Sequence, residues 1–180
     1  TKLSDAHAKA LMKKYSNVRV VNVDLSDTYE TLLFYIDQDF VNNKLANANT
    51  KSRLRMVTLY QVAGSVGGIV VGTGNKVEDY GVGFYTKYGD GGVDIAPIAD
   101  LYKTEVRELG GHLGVMNEII DAPPTDGLWD DGRSDEDQIG ATYAELEEAM
   151  ENSTGKAVDI LYKFNSKNKH KMQPIPTFKL

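Results

Sequence analysis

Cysteine is absent from this 180-residue chain. That excludes a disulfide framework and a thiolate metal site, and it points to a cytoplasmic home. No apolar run approaches the ~18 residues of a membrane span and no signal-peptide pattern opens the chain, so no membrane partner is expected. With a net charge of -6 the surface lacks the general basic character of a nucleic-acid binder, and no nucleic acid is expected as partner. The exception is a basic patch from Lys163 to Lys171. There is no internal repeat, low-complexity tract or clear linker. The remaining composition, 41% hydrophobic and 26% charged, is that of one domain with a sizeable core.

What is present is concentrated between Gly67 and Glu105, in GGIVVGTGNKVEDYGVGFYTKYGDGGVDIAPIADLYKTE. A short apolar strand, Ile69 to Val71, runs into Gly72-Thr73-Gly74, where glycine lets backbone approach a ligand closely. Glu78, Lys87, Asp90, Asp94 and Lys103 follow within the same stretch. Around it the pattern alternates helix and strand. Ser4 and Asp5 cap a helix to about Tyr15, and Val18 to Val23 is a strand of β-branched residues. Asp27 and Glu30 have capping-box spacing ahead of a second helix. Thr50 is expected to cap a long helix through Ala63. A loop from Tyr80 to Pro97 leads to a helix near Leu101 to Leu113, which Gly114 stops. Pro123 to Gly140 is polar and rich in Asp and Gly, the composition of a mobile lid. Thr142 with Glu145 caps a helix to about Met150, and a last helix covers Lys156 to about Asn165.

Such alternation favours a mostly parallel sheet covered by helices. In open sheets of this kind ligands sit beyond the carboxyl ends of the strands, the location of Gly72 to Glu78. On residue types alone, Glu78 can equally be a helix-start carboxylate beside Asp79. Lys103 can be a solvated lysine, Arg53 and Arg55 helix-surface charges, and Asp90 a turn former with Gly91 and Gly92.

GTGNKVE, TKYGDGGVDI, the LYKTE helix start and the PPTDGL loop, in this order, resemble ammonia-dependent NAD+ synthetase. NTKSRLRM upstream and KHKMQPIP downstream extend the likeness over roughly residues 48–176. The resemblance implies a Rossmann-like three-layer α/β/α fold of the ATP-pyrophosphatase (adenine nucleotide alpha-hydrolase) type and a homodimer. It also implies a ligase that amidates deamido-NAD with ammonia while ATP is cleaved to AMP and pyrophosphate. By the same resemblance Thr73, Lys103 and Thr125 contact ATP, Glu78 binds Mg2+, and Arg53, Lys87, Asp94, His170 and Lys171 contact deamido-NAD. Asp90 falls near the ammonia site, and with Lys103 it is the candidate catalytic pair. A hard cation suits carboxylate and phosphate oxygens, and dispersed cations suit a dinucleotide.

The family's SGGxDS segment has no counterpart here; Gly64-Ser65-Val66-Gly67-Gly68 lacks the acid. The expectation is therefore a single catalytic domain over residues 1–180 that is N-terminally incomplete, lacking one βα unit. Two other readings stay open. One is a different ATP-pyrophosphatase amide-forming synthetase, and the other is a non-catalytic nucleotide-binding or dimerisation module.

Overall fold

Helix α1 (Lys2–Lys14) opens the computed structural model, which describes residues 2–129 and 131–178. Asp24 accepts the Ser26 backbone N–H at 2.9 Å ahead of α2 (Ser26–Tyr35). The long helix α3 (Lys44–Ser65) begins before Thr50. Asn43 caps it by accepting from the Ala46 N–H at 3.0 Å, whereas the Thr50 hydroxyl donates to the Ala46 carbonyl inside the helix. An asparagine at the N-cap satisfies an orphan donor as well as a threonine does.

The sheet expected from the alternation is not formed among the described residues. Its trace is one parallel bridge between Val71 and Ile95, flanked by Gly72 N–H to Ile95 carbonyl at 2.7 Å and Asp94 N–H to Val70 carbonyl at 2.9 Å. The Val18 to Val23 segment forms no strand, with Val21 54% exposed. A strand needs a neighbour to take its backbone hydrogen bonds, and this segment makes no bridge to another among the described residues.

The core lies instead where three helical segments meet. Val77–Val82 forms a wide turn of π-helix, closed by the Gly83 N–H donating to the Glu78 carbonyl five residues back. Val77 and Val82 from this turn pack with Tyr143, Leu146 and Ala149 of α7 (Tyr143–Asn152) and with Ala157, which precedes α8 (Val158–Met172). The α8 side chains Asn165 and Asn168 donate to the carbonyls of Gly81 and Val82, each at 2.8 Å. These bonds satisfy acceptors that the wide turn leaves open. Between these segments lie α4 (Lys103–His112), α5 (Asn117–Ile120) and α6 (Asp135–Ile139). No helix among the described residues is long and apolar enough to cross a membrane.

Candidate active site

The GTGNKVE stretch folds around its asparagine. Asn75 is buried, and its Oδ1 accepts the N–H groups of Val77 (3.0 Å) and Glu78 (3.1 Å), while Glu78 Oε2 accepts the Asn75 N–H at 3.3 Å. This reciprocal arrangement starts the π-helix and aims Glu78 outward from a buried base. The glycines before it serve packing. A Cβ on Gly72 would meet Val93 at 2.9 Å, and one on Gly74 would overlap the Asp79 carboxylate. The chain itself packs against these glycines where a side chain would stand, while Gly72 and Thr73 line the cavity described below.

Glu78 meets Lys103 and Tyr143. The Lys103 ammonium lies 3.0 Å from Glu78 Oε1, and the Tyr143 hydroxyl donates to the same oxygen at 2.6 Å. The ammonium also sits 4.9 Å from the centre of the Tyr143 ring, close enough for a cation–π contribution. Lys103 is the first residue of α4, and the start of that helix is tied down by Glu147 of α7. That buried carboxylate accepts the Thr104 N–H at 3.1 Å and its hydroxyl at 2.6 Å. Asp135, at the start of α6, completes the group, 3.3 Å from the Tyr143 hydroxyl. Burial, reinforced by the Glu78 charge, raises the Asp135 carboxyl to about 6. Burial with the Glu78 and Asp90 charges does the same for Asp79. The Tyr143 hydroxyl is pushed up by burial and by Glu78 and stays protonated.

Glu78, Lys103 and Asp135 open onto a cavity of about 700 Å³. Thr73, Glu78, Asp90, Lys103, Thr125 and Lys171 are all on its wall. The structure thus brings together six of the expected site residues from five separate motifs of the chain. Asp90 is exposed, but its Oδ1 accepts the Ser52 hydroxyl (2.7 Å) and the Thr86 N–H (3.0 Å), docking the KYGDGG turn on α3. Lys171 donates to the carbonyls of Gly83 (2.8 Å) and Tyr85 (2.7 Å), and burial lowers its pKa.

Arg53, Lys87, Asp94 and His170 are not on that wall. Three of them form a chain beside it, in which Arg53 Nε donates to the Lys87 carbonyl (3.3 Å) and Lys87 Nζ to the His170 carbonyl (2.9 Å). Asp94 is turned to the backbone, accepting the Val70 N–H at 2.7 Å and the Tyr60 hydroxyl at 3.1 Å.

The Pro123 to Gly140 segment buries more than its composition suggests. Its α6 carries buried Asp135 and Ile139 behind a Ser134–Asp137 capping box. Arg55 donates to the carbonyls of Asp126 (3.2 Å) and Gly127 (3.1 Å), fastening the segment to α3. Asp135, Tyr143, Asn75 and Glu147 were not singled out from the sequence as site residues. Asn75 and Glu78 do have capping-box spacing, a signal that was there to read. Tyr143 carries only the signal of a helix start.

A family model described as NAD synthase matches residues 1–176. The NH(3)-dependent NAD(+) synthetase of Finegoldia magna is 37% identical over 175 residues, covering 97% of this chain, and the match spans 71% of that protein's length. Among solved structures, an NMN synthetase from Francisella tularensis superposes with a TM-score of 0.86 at 31% identity, over 98% of this chain and 74% of its own. An NH3-dependent NAD synthetase from Campylobacter jejuni shares the fold at a TM-score of 0.64 and 21% identity, over 87% of this chain and 64% of its own.

Proposed function

The chain belongs to the NAD synthase family, and from that premise we propose that it is an ammonia-dependent ligase converting deamido-NAD to NAD+ at the expense of ATP. The observation that carries the reading is the spatial sorting of its polar residues. The residues assigned to ATP, Thr73, Lys103 and Thr125, share one cavity wall with Glu78. Arg53, Lys87 and His170 are linked together beside it. We assign the second group to deamido-NAD, together with Asp94 and with Lys171, which stands on the cavity wall itself.

The reaction runs in two steps. The nicotinate carboxylate attacks the α-phosphorus of ATP, the bond to the β-phosphate oxygen breaks, and pyrophosphate leaves an acyl adenylate. Ammonia then adds to the activated carbonyl, and AMP departs with the electron pair of the broken C–O bond. Lys103, held over Tyr143, neutralises charge growing on the phosphate oxygens. Asp90 takes the proton that ammonium must lose before it can attack; its Oδ2 is the oxygen for this task, because Oδ1 fastens the turn. Glu78 would hold Mg2+. The fit rests on a carboxylate already oriented by Tyr143 and Lys103 beside the cavity, a donor type that a hard cation accepts. When bound, the ion supplies charge for the triphosphate. We further assign a homodimer and a cytoplasmic location.

Formation of NAD+, AMP and pyrophosphate from deamido-NAD, ATP, Mg2+ and ammonium tests the function. If no AMP appears at saturating substrates, the proposal fails. Asp90→Asn is expected to raise the KM for ammonium with little change in that for ATP, and unchanged turnover at limiting ammonium removes this residue from the chemistry.

A second acceptor is favoured by one observation, the closer structural likeness to the Francisella tularensis NMN synthetase than to the Campylobacter jejuni protein. In that reading the amidated substrate is nicotinate mononucleotide. The ratio of kcat/KM for the two acceptors decides between them.

A further inference from the structure

Asp135 is a carboxylate short of donors. It is only 7% exposed, its Oδ1 is buried without a hydrogen-bond partner, and it lies on the wall of the same cavity as Glu78, Lys103 and Thr125. Its other oxygen faces the Tyr143 hydroxyl at 3.3 Å, but that group has a single proton and stands 2.6 Å from Glu78 Oε1. The short contact takes the proton. Glu78 is by contrast well supplied, with Lys103 and Tyr143 on Oε1 and the Asn75 N–H on Oε2. The Lys103 ammonium pairs with Glu78 and reaches Asp135 only through its charge, and the less satisfied carboxylate also faces the cavity. A buried acceptor left in this state costs free energy unless a ligand completes it.

We propose that Asp135 is a further carboxylate ligand for the divalent cation of the ATP site, held in register with Glu78 by the Tyr143 hydroxyl. The proposal rests on the ATP-dependent reading above. No cluster of three metal-binding side chains occurs among the described residues. Two carboxylates with phosphate oxygens and water are the usual set for Mg2+ at a nucleotide, because this ion keeps much of its hydration. The charge balance selects a divalent ion over ammonium, since an arriving triphosphate adds negative charge to a pair of acids that Lys103 only half offsets.

Mn2+ binding in the presence of a non-hydrolysable α,β-methylene ATP analogue, read as free Mn2+ by electron paramagnetic resonance, tests this without turnover. Asp135→Asn should weaken Mn2+ binding by about tenfold or more and Tyr143→Phe by a smaller factor, while Asp135→Glu recovers part of the loss. Removing a buried charge should leave the urea midpoint of Asp135→Asn equal to or above that of the parent protein, so lost binding cannot be put down to lost fold. Parental Mn2+ affinity in Asp135→Asn overturns the proposal. So does an unchanged Mn2+ affinity with a raised KM for ammonium, which would make Asp135 the ammonium seat. If the unaltered protein binds no Mn2+ with the nucleotide, the ATP reading itself falls.

Discussion

Single side chains at this site do two jobs at once. Glu147 illustrates it. The residue touches nothing in the cavity, yet both its oxygens bond Thr104, the neighbour of Lys103. Hydrogen bonds to a charged acceptor contribute about 1.5–3 kcal/mol each when buried. Glu147→Gln should therefore lower the unfolding free energy by about 1–3 kcal/mol. It should also raise the KM for ATP, because the Lys103 ammonium loses its fixed base. Urea titration and initial-rate kinetics on the same preparation check both halves. Loss of stability with an unchanged KM would leave Glu147 a structural residue only.

Side-chain caps start several of the elements, Asn43 at α3, Ser134 at α6 and Thr142 at α7. At α7 the Thr142 hydroxyl oxygen accepts the Glu145 N–H at 3.2 Å, and Glu145 Oε2 accepts the Thr142 N–H at 3.0 Å. Since α7 contributes Tyr143, Leu146 and Ala149 to the core and Glu147 to the site, its first turn matters twice. Thr142→Ala should cost about 1 kcal/mol, seen as a lower urea midpoint at unchanged slope. The Thr142 bonds hold the Glu145 carboxyl below its ordinary value of 4.5. A carboxyl depressed in the folded state stabilises above its unfolded value and loses that contribution as pH falls through the folded value. Glu145→Gln should accordingly be less stable than the parent protein at pH 7, with the gap closing below about pH 4.5. A gap that persists at low pH would show that the carboxylate charge is not what caps the helix.

At the scale of the whole molecule, apolar side chains are left facing water. Phe34 and Tyr35 at the end of α2 are 76% and 80% exposed, and Val57 and Leu59 on α3 are also in solvent. Contiguous exposed apolar surface marks interaction sites, and the homodimer we propose would cover some of these side chains. Sedimentation equilibrium should give twice the 19.8 kDa chain mass at micromolar concentration. A monomer that turns over normally would remove the dimer from the account.

How much of this was legible before folding depended on how local each signal is. The capping box at Thr142 and Glu145 and the existence of the first two helices rest on interactions within a few residues, so spacing along the chain specifies them. The caps expected at Ser4 and at Asp27 with Glu30 do not form, because Ser4 lies inside α1 and α2 starts at Ser26 behind Leu25 without a side-chain cap bond. The motif order from GTGNKVE to KHKMQPIP likewise carries the family, because it is a property of the chain alone. Of the sheet, the described residues form only the Val71–Ile95 bridge: β-branched runs at Val18 to Val23 and Ile69 to Val71 have strand propensity, but pairing is a non-local event. The start of α3 was missed because Thr50 and Asn43 are both competent caps. Only the tertiary structure decided that Tyr143 and Asp135, 65 and 57 positions away from Glu78 in sequence, would share its hydroxyl-bridged corner. It alone separated Arg53, Lys87, Asp94 and His170 from the wall that Thr73, Lys103 and Thr125 share. The physical reason is the same in each case. Local hydrogen bonds are written in neighbouring residues, whereas burial and charge balance exist only after distant segments have packed.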